Sequence, residues 1–254
     1  MTPVYVGGVG LWTPGFPGLA AWRAGAPDPA VATARAEILP ATLRRRATPF
    51  TAMIAAAVTE AAAAAGADLA RLPIVLGSAM GEDGMLAMLA ELHEGEGMPS
   101  PTRFHNSVHN APVAYVSIAT GNRGFATTLA AGWETPAAAL LEAVAWLADR
   151  GGEVLLVLGD EPPAVPFDLA EPFPPLAVAL HLAAAPGPAT RATLRGPVRT
   201  AGRRPEVPPA FASHTCAGGL ALAEAIARGA AGPVALGPEG PRGWTVEVSP
   251  GVAP

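Results

Sequence analysis

The chain has 254 residues, 50% of them apolar, and a formal net charge of −5. That is enough apolar material for one sizeable core, and a single domain over 1–254 is expected. All 16 basic residues are arginine, so lysine Schiff-base chemistry is excluded, and the acidic balance argues against a general nucleic-acid footprint. A single cysteine, Cys216, excludes an internal disulfide and any multi-thiolate zinc site.

In chain order, residues 4–9 form an apolar run ending in glycines, which predicts a first buried strand, followed by a Gly- and Pro-rich loop over 10–18. The start of the chain lacks a basic region ahead of an apolar stretch, so no secretory signal is expected and the cytoplasm is the expected compartment. Every long apolar stretch is broken by Gly, Pro or charge, which argues against a membrane span. The tight basic cluster Arg44-Arg45-Arg46 reads as a solvated or salt-bridged feature rather than a phosphate site.

Residues 51–66 predict an Ala-rich helix stopped by Gly66, residues 72–77 a second buried strand, and residues 85–93 a short helix. A polar loop over 104–110 then leads into a helix with Pro112 in its first turn. Residues 124–130 predict a third strand. After it comes the best-marked helix in the sequence, with Thr135 as N-cap, Pro136 at its first position and Gly151-Gly152 beyond its end.

Further strands are expected over 153–159, 176–184, 189–200 and 243–248, with a proline-rich loop over 162–175, a loop over 205–209 and an amphipathic helix over 219–228. Alternating apolar strands and helices imply an α/β fold whose helices cover both faces of a sheet.

Four stretches carry a resemblance. They are Val6-Gly7-Gly8-Val9-Gly10-Leu11-Trp12-Thr13-Pro14; Leu39-Pro40 with Leu43-Arg44-Arg45-Arg46; Leu76-Gly77-Ser78-Ala79-Met80-Gly81-Glu82; and Asn106-Ser107-Val108-His109-Asn110-Ala111-Pro112 through Ser117-Ile118-Ala119-Thr120-Gly121. Together they resemble the N-terminal domain of the β-ketoacyl synthases and of the chain-length-factor-like proteins of bacterial polyene and polyketide clusters, most strongly over 4–160. The resemblance implies a thiolase-like α/β/α unit with a mixed central sheet, equivalent to the N-terminal half of a longer duplicated fold.

In that fold the catalytic cysteine sits at the head of a buried helix, where the dipole and free backbone N–H groups favour a thiolate. Here the corresponding turn is Ala131-Gly132-Trp133-Glu134, and it holds no nucleophile. Gly132 or Trp133 takes the cysteine's place. The family's condensing members also use two histidines and a lysine, but no H-G-T-G-T or G-F-G-G-H stretch occurs and the chain has no lysine. Condensation by this chain alone is therefore not expected.

Each candidate residue also has a plainer reading. His105 and His109 have the spacing of a metal pair on a helix, but only Glu82, Asp83 or Glu134 could complete it, and loop-ordering hydrogen bonds explain them as well. His109, beside Asn106, is the better catalytic candidate. Glu134 suits the positive end of a helix, and Cys216 is either a small core residue or, at a helix start beside His214, a thiol of lowered pKa. The other tryptophans read as packing residues, whereas Trp133 would plug the space where an acyl group attaches.

The expected ligand or degenerate site is therefore Gly132, Trp133, Glu134, Asn106 and His109, and no metal or cofactor is expected. The resemblance implies dimerisation through the strand carrying Phe125, Thr127 and Leu129, with a second copy or an active ketosynthase, and acyl carrier protein as a further partner. Two alternatives stay open. One is an acyl-thioester hydrolase or acyltransferase using Cys216 or a His109-centred site, and the other is a stand-alone acyl-binding protein.

Overall fold

The computed structural model describes residues 2–82, 84–95, 98, 100–162 and 172–251. Its elements in order are β1 (Val4–Trp12), α1 (Leu19–Ala24), α2 (Ala41–Arg44), α3 (Pro49–Ala65), β2 (Ile74–Gly77), α4 (Gly84–Glu94), α5 (Pro101–Asn106) and α6 (Ala111–Thr120). They continue with β3 (Ala126–Leu129), α7 (Thr135–Arg150), β4 (Glu153–Asp160), β5 (Leu176–Ala183), β6 (Ala192–Gly202), α8 (Ala217–Arg228), β7 (Gly232–Ala235) and β8 (Gly240–Pro250).

The strands form one 8-stranded sheet in the order β3-β2-β4-β5-β1-β6-β8-β7. β2 runs parallel to both β3 and β4, and the remaining pairings are antiparallel, so the sheet is mixed. Helices cover both faces. On one, α3 and α6 pack Met53, Ile54, Val58 and Val116 against Ile74, Leu76 and Leu155. On the other, α7 and α8 pack Leu140, Leu147, Leu220 and Ile226 against Val154, Leu156 and Leu180. This is the expected α/β/α layering, with β4 and β5 buried almost throughout, as strands covered on both faces must be.

Local chemistry explains how α3 sits so close to the sheet. Thr48 accepts a hydrogen bond from the Thr51 amide, Pro49 opens the helix and Gly66 closes it in the left-handed region at φ 68°. The helix lays its alanines on β1, where a Cβ on Gly8 or Gly10 would come within 2.0 Å of the carbonyl oxygen of Ala61 or Ala57. Glycine at both positions lets strand and helix touch backbone to backbone.

Three local expectations are corrected. β1 continues to Trp12, taking in residues assigned to a loop. The polar stretch after residue 100 is partly helical, as α5, because Pro101 opens a turn whose last residue, Asn106, donates from Nδ2 to the Arg46 carbonyl at 2.7 Å. β7 was read as no element. Of the expected loop over 162–175, residues 163–171 lie outside those described.

Candidate functional site

The parallel strands β2, β3 and β4 end on the same side, and the turn into α7 lies there. After β3 the backbone takes a positive φ of 54° at Gly132 and a single 3-10 turn, Gly132–Glu134, before α7 begins at Thr135. Thr135 is therefore inside the helix and not its N-cap. Its hydroxyl donates to the Gly132 carbonyl at 2.7 Å and accepts from the Ala131 amide at 2.9 Å, which ties the turn to the helix it precedes.

Glu134 is also held. Its Oε2 accepts from Trp244 Nε1 at 2.8 Å and from Arg199 Nη2 at 2.9 Å, while the Arg199 guanidinium lies 4.7 Å from the centre of the Trp244 ring. Trp133, directly before these two anchored residues, is half-exposed.

Behind the turn sits Asp160, the last residue of β4 and fully buried. Its carboxylate accepts from Ser78 Oγ at 2.6 Å, from the Ala79 and Met80 amides at 3.0 and 2.9 Å, from Cys216 Sγ at 3.5 Å and from Thr215 Oγ1. Ser78 Oγ in turn accepts from the Gly81 amide at 2.9 Å. A buried carboxylate is tolerated when its lone pairs are met in this way. The result fastens the turn after β2 to the start of α8.

His214 completes the cluster. Its Nδ1 accepts from the Cys216 amide at 2.9 Å and its Nε2 donates to the Asp160 carbonyl at 3.3 Å, so both ring nitrogens are used by a neutral imidazole. Burial pushes its pKa from 6.5 down to about 4, against the opposing pull of Asp160. For Cys216 burial acts in the other direction. The thiol, fully buried beside the Asp160 carboxylate, is held well above its ordinary pKa, which agrees with the small core residue of the two readings and not with the thiol of lowered pKa.

A cavity of about 490 Å³ opens over this cluster. Met80, Trp133, Phe173, His214, Ala217 and Leu236 line its interior, and Arg204 and Glu239 stand in its lining as an exposed ion pair at 3.4 Å. The structure thus brings Trp133 together with His214, Thr215 and the turn after β2.

The remaining candidates lie elsewhere. His109 packs behind the turn, donating from Nε2 to the Ser78 carbonyl at 2.9 Å, and its ring fills the space that a side chain on Gly81 would take. Asn106 bonds to Arg46 and accepts from the Tyr115 hydroxyl at 2.9 Å, and the His105 ring lies 5.8 Å from that of Tyr115. Glu82 accepts from the hydroxyls of Thr48 and Thr51 at the head of α3. Asp83 lies outside the described residues, among which no group of three metal-ligating side chains forms.

Phe125, Thr127 and Leu129 belong to the edge of the sheet, where the Phe125 ring stacks 4.2 Å from that of Trp146 on α7. Asp160 was missed from the sequence, although a carboxylate ending an apolar strand is a usable signal.

Fold and site together define a thiolase-like layered protein in which Trp133 stands in the turn between β3 and α7. Residues 20–232 match the β-ketoacyl synthase N-terminal domain, and the chain belongs to that family. No curated protein matches it. Among solved structures, a chain of the ketosynthase ApeO in complex with its chain length factor ApeC from Xenorhabdus doucetiae superposes with a TM-score of 0.74 at 19% identity, covering 97% of this chain and 100% of that one. The ishigamide ketosynthase/chain length factor gives 0.69 at 18% identity, covering 98% and 99%. The complex AntDE:AntF, a type II polyketide synthase acyl carrier protein with its ketosynthase bound to the hexaketide, gives 0.56 at 19% identity, covering 72% and 63%.

Proposed function

We propose that the chain is a non-condensing ketosynthase-like subunit that acts as a chain-length-factor-like partner of an active ketosynthase in cytoplasmic polyketide, fatty-acid or aryl-polyene-type synthesis. The observation that carries this reading is the turn Gly132-Trp133-Glu134. The scaffold that presents a nucleophile is intact, while the residue at its tip is an indole whose neighbour Glu134 is occupied by Arg199 and Trp244.

The surroundings support it. A base is needed to activate an acyl-transfer nucleophile, and His214, the imidazole in the cavity wall, has both nitrogens engaged and a pKa pushed down to about 4 by burial, which makes it a weak base. The same facts weigh against a hydrolase built on Cys216, because a thiolate is disfavoured at that buried position.

The free edge of β3 supports pairing with a partner. Ile74 N donates to the Phe125 carbonyl and Ser78 N to the Leu129 carbonyl. By ladder alternation the amides of Ala126 and Thr128 then face outward and are open to another strand. Relatives of similar fold are found in ketosynthase–chain length factor and ketosynthase–acyl carrier protein complexes, which favours a ketosynthase as partner and a carrier protein as visitor.

The test is co-expression with a ketosynthase from the same genome, read by co-purification and mass photometry. A one-to-one complex is expected, and a chain that stays alone with that ketosynthase overturns the reading. Replacing Ala126 with Pro removes an outward amide without touching the ladder to β2. It is expected to abolish the complex while leaving the circular dichroism spectrum unchanged.

A further inference from the structure

The five tryptophans differ in how they are held. Trp12 is buried, Trp22 donates from Nε1 to Glu224 and meets the rings of Phe16 and Phe211, Trp146 stacks on Phe125, and Trp244 donates to Glu134 under the Arg199 guanidinium. Trp133 has none of these ties. Among the described residues its indole N–H meets no acceptor and its ring no other ring, and it is half-exposed while lining the cavity of about 490 Å³. A side chain that belongs at once to a cavity wall and to the open surface stands at the mouth.

The backbone that carries the indole is fixed, whereas the space beside it is not filled. Thr135 bonds to Ala131 and Gly132, and Glu134 to Arg199 and Trp244, so the turn is pinned before and after residue 133. The inner wall is pinned too, because His214 spends both ring nitrogens on the protein and lies 4.5 Å from Phe173, ring centre to ring centre. Gly132 sits at φ 54°, and a Cβ placed on it would meet no atom within 4 Å, so open space adjoins the turn. An unbonded, half-exposed side chain next to open space changes rotamer freely on a fixed backbone.

We propose that the Trp133 indole is a door on this cavity: turning about its own side-chain bonds while the turn stays in place, it shuts and opens the route from solvent to the wall formed by His214 and Ala217. A fixed plug would be packed and bonded as the other tryptophans are. The door concerns passage into this chain by itself, so its test needs no ketosynthase and its failure is separate from a failure to pair. A door sets how fast anything enters, whereas a plain wall residue sets how long an occupant stays.

Thiols introduced along the route read the rate of entry, with N-ethylmaleimide as the probe and intact mass as the readout. Ala217→Cys lies on the inner wall at a position 4% exposed, and Ala212→Cys at an exposed position of the lining; the unaltered chain, whose Cys216 is buried, is the blank. Adding Trp133→Ala is expected to speed labelling of Ala217→Cys about tenfold and that of Ala212→Cys by less than about twofold, with the circular dichroism spectrum unchanged. Trp133→Phe, a smaller door, is expected to fall between. Ser213→Cys, a second position in the lining, repeats the reading where Ala217→Cys does not fold. Equal rates at Ala217→Cys with and without the indole mean a mouth that is always open, and labelling only after the indole is removed means a fixed plug. A matching rise at Ala212→Cys means a loosened fold, and no labelling at the inner positions in any background means that no route leads inward. Each of these four results overturns the proposal.

Discussion

The Asp160 carboxylate ties three pieces of chain together: the turn after β2, the end of β4 and the head of α8. Replacing it with Ala leaves two backbone amides and two hydroxyls without their acceptor in a buried place. The expected loss is roughly 3–5 kcal/mol of unfolding free energy, read from urea denaturation. Cys216 touches the same carboxylate but is not needed to hold the cluster. Its thiol is expected to resist iodoacetamide in the native protein and to react fully in denaturant, with mass spectrometry as the readout; fast native labelling would restore the hydrolase reading. Asp160 escaped the sequence reading because its side-chain partners Thr215 and Ser78 stand 55 and 82 positions away, and no local pattern connects them. Trp133 was legible for the opposite reason, since strand, turn and helix follow one another within a few residues.

Among the elements, β1 and α3 approach backbone to backbone, and glycine is what permits it. Gly10→Ala drives a methyl group into the Ala57 carbonyl and is expected to cost about 2–3 kcal/mol, seen as a lower urea midpoint with an unchanged slope. An unchanged midpoint would mean that α3 can move off the sheet. Most elements were legible from the sequence because apolar runs and glycine stops coincide, as in residues 49–66, where Pro49, the alanines and Gly66 all favour the same helix. α5 was not legible. After Pro101 its residues are polar or aromatic, and what fixes it is the bond from Asn106 to Arg46, a contact between distant segments. β7 was hidden by Gly232-Pro233, a pair that reads as a turn and becomes a strand only because β8 lies alongside it.

At the scale of the whole molecule, stability follows the protons of the buried imidazoles. His214 has a folded pKa of about 4 against 6.5 when free, so the unfolded chain binds the extra proton between those values. The stabilisation is complete above pH 6.5 and is lost as pH falls toward 4, a total of roughly 3 kcal/mol. His181, pushed down by burial, adds a loss of the same sign, whereas Glu60, pushed up by burial, opposes it at the acid end. His214→Asn keeps an acceptor for the Cys216 amide and removes the titration. It is expected to flatten the fall in melting temperature between pH 6.5 and 4, and a variant as steep as the parent would assign the fall to other groups.

The two ends of the sheet differ in a way that bears on how many chains can join. Both edge strands have four residues, but the β7 end carries Gly232 and Pro233, whereas the β3 end, Ala-Thr-Thr-Leu, has neither charge nor proline. A sheet open at both ends can add copies head to tail without limit; with one end blunted, the proposed docking through β3 would use up the open edge of each partner, closing the assembly as a pair that cannot grow into a fibre.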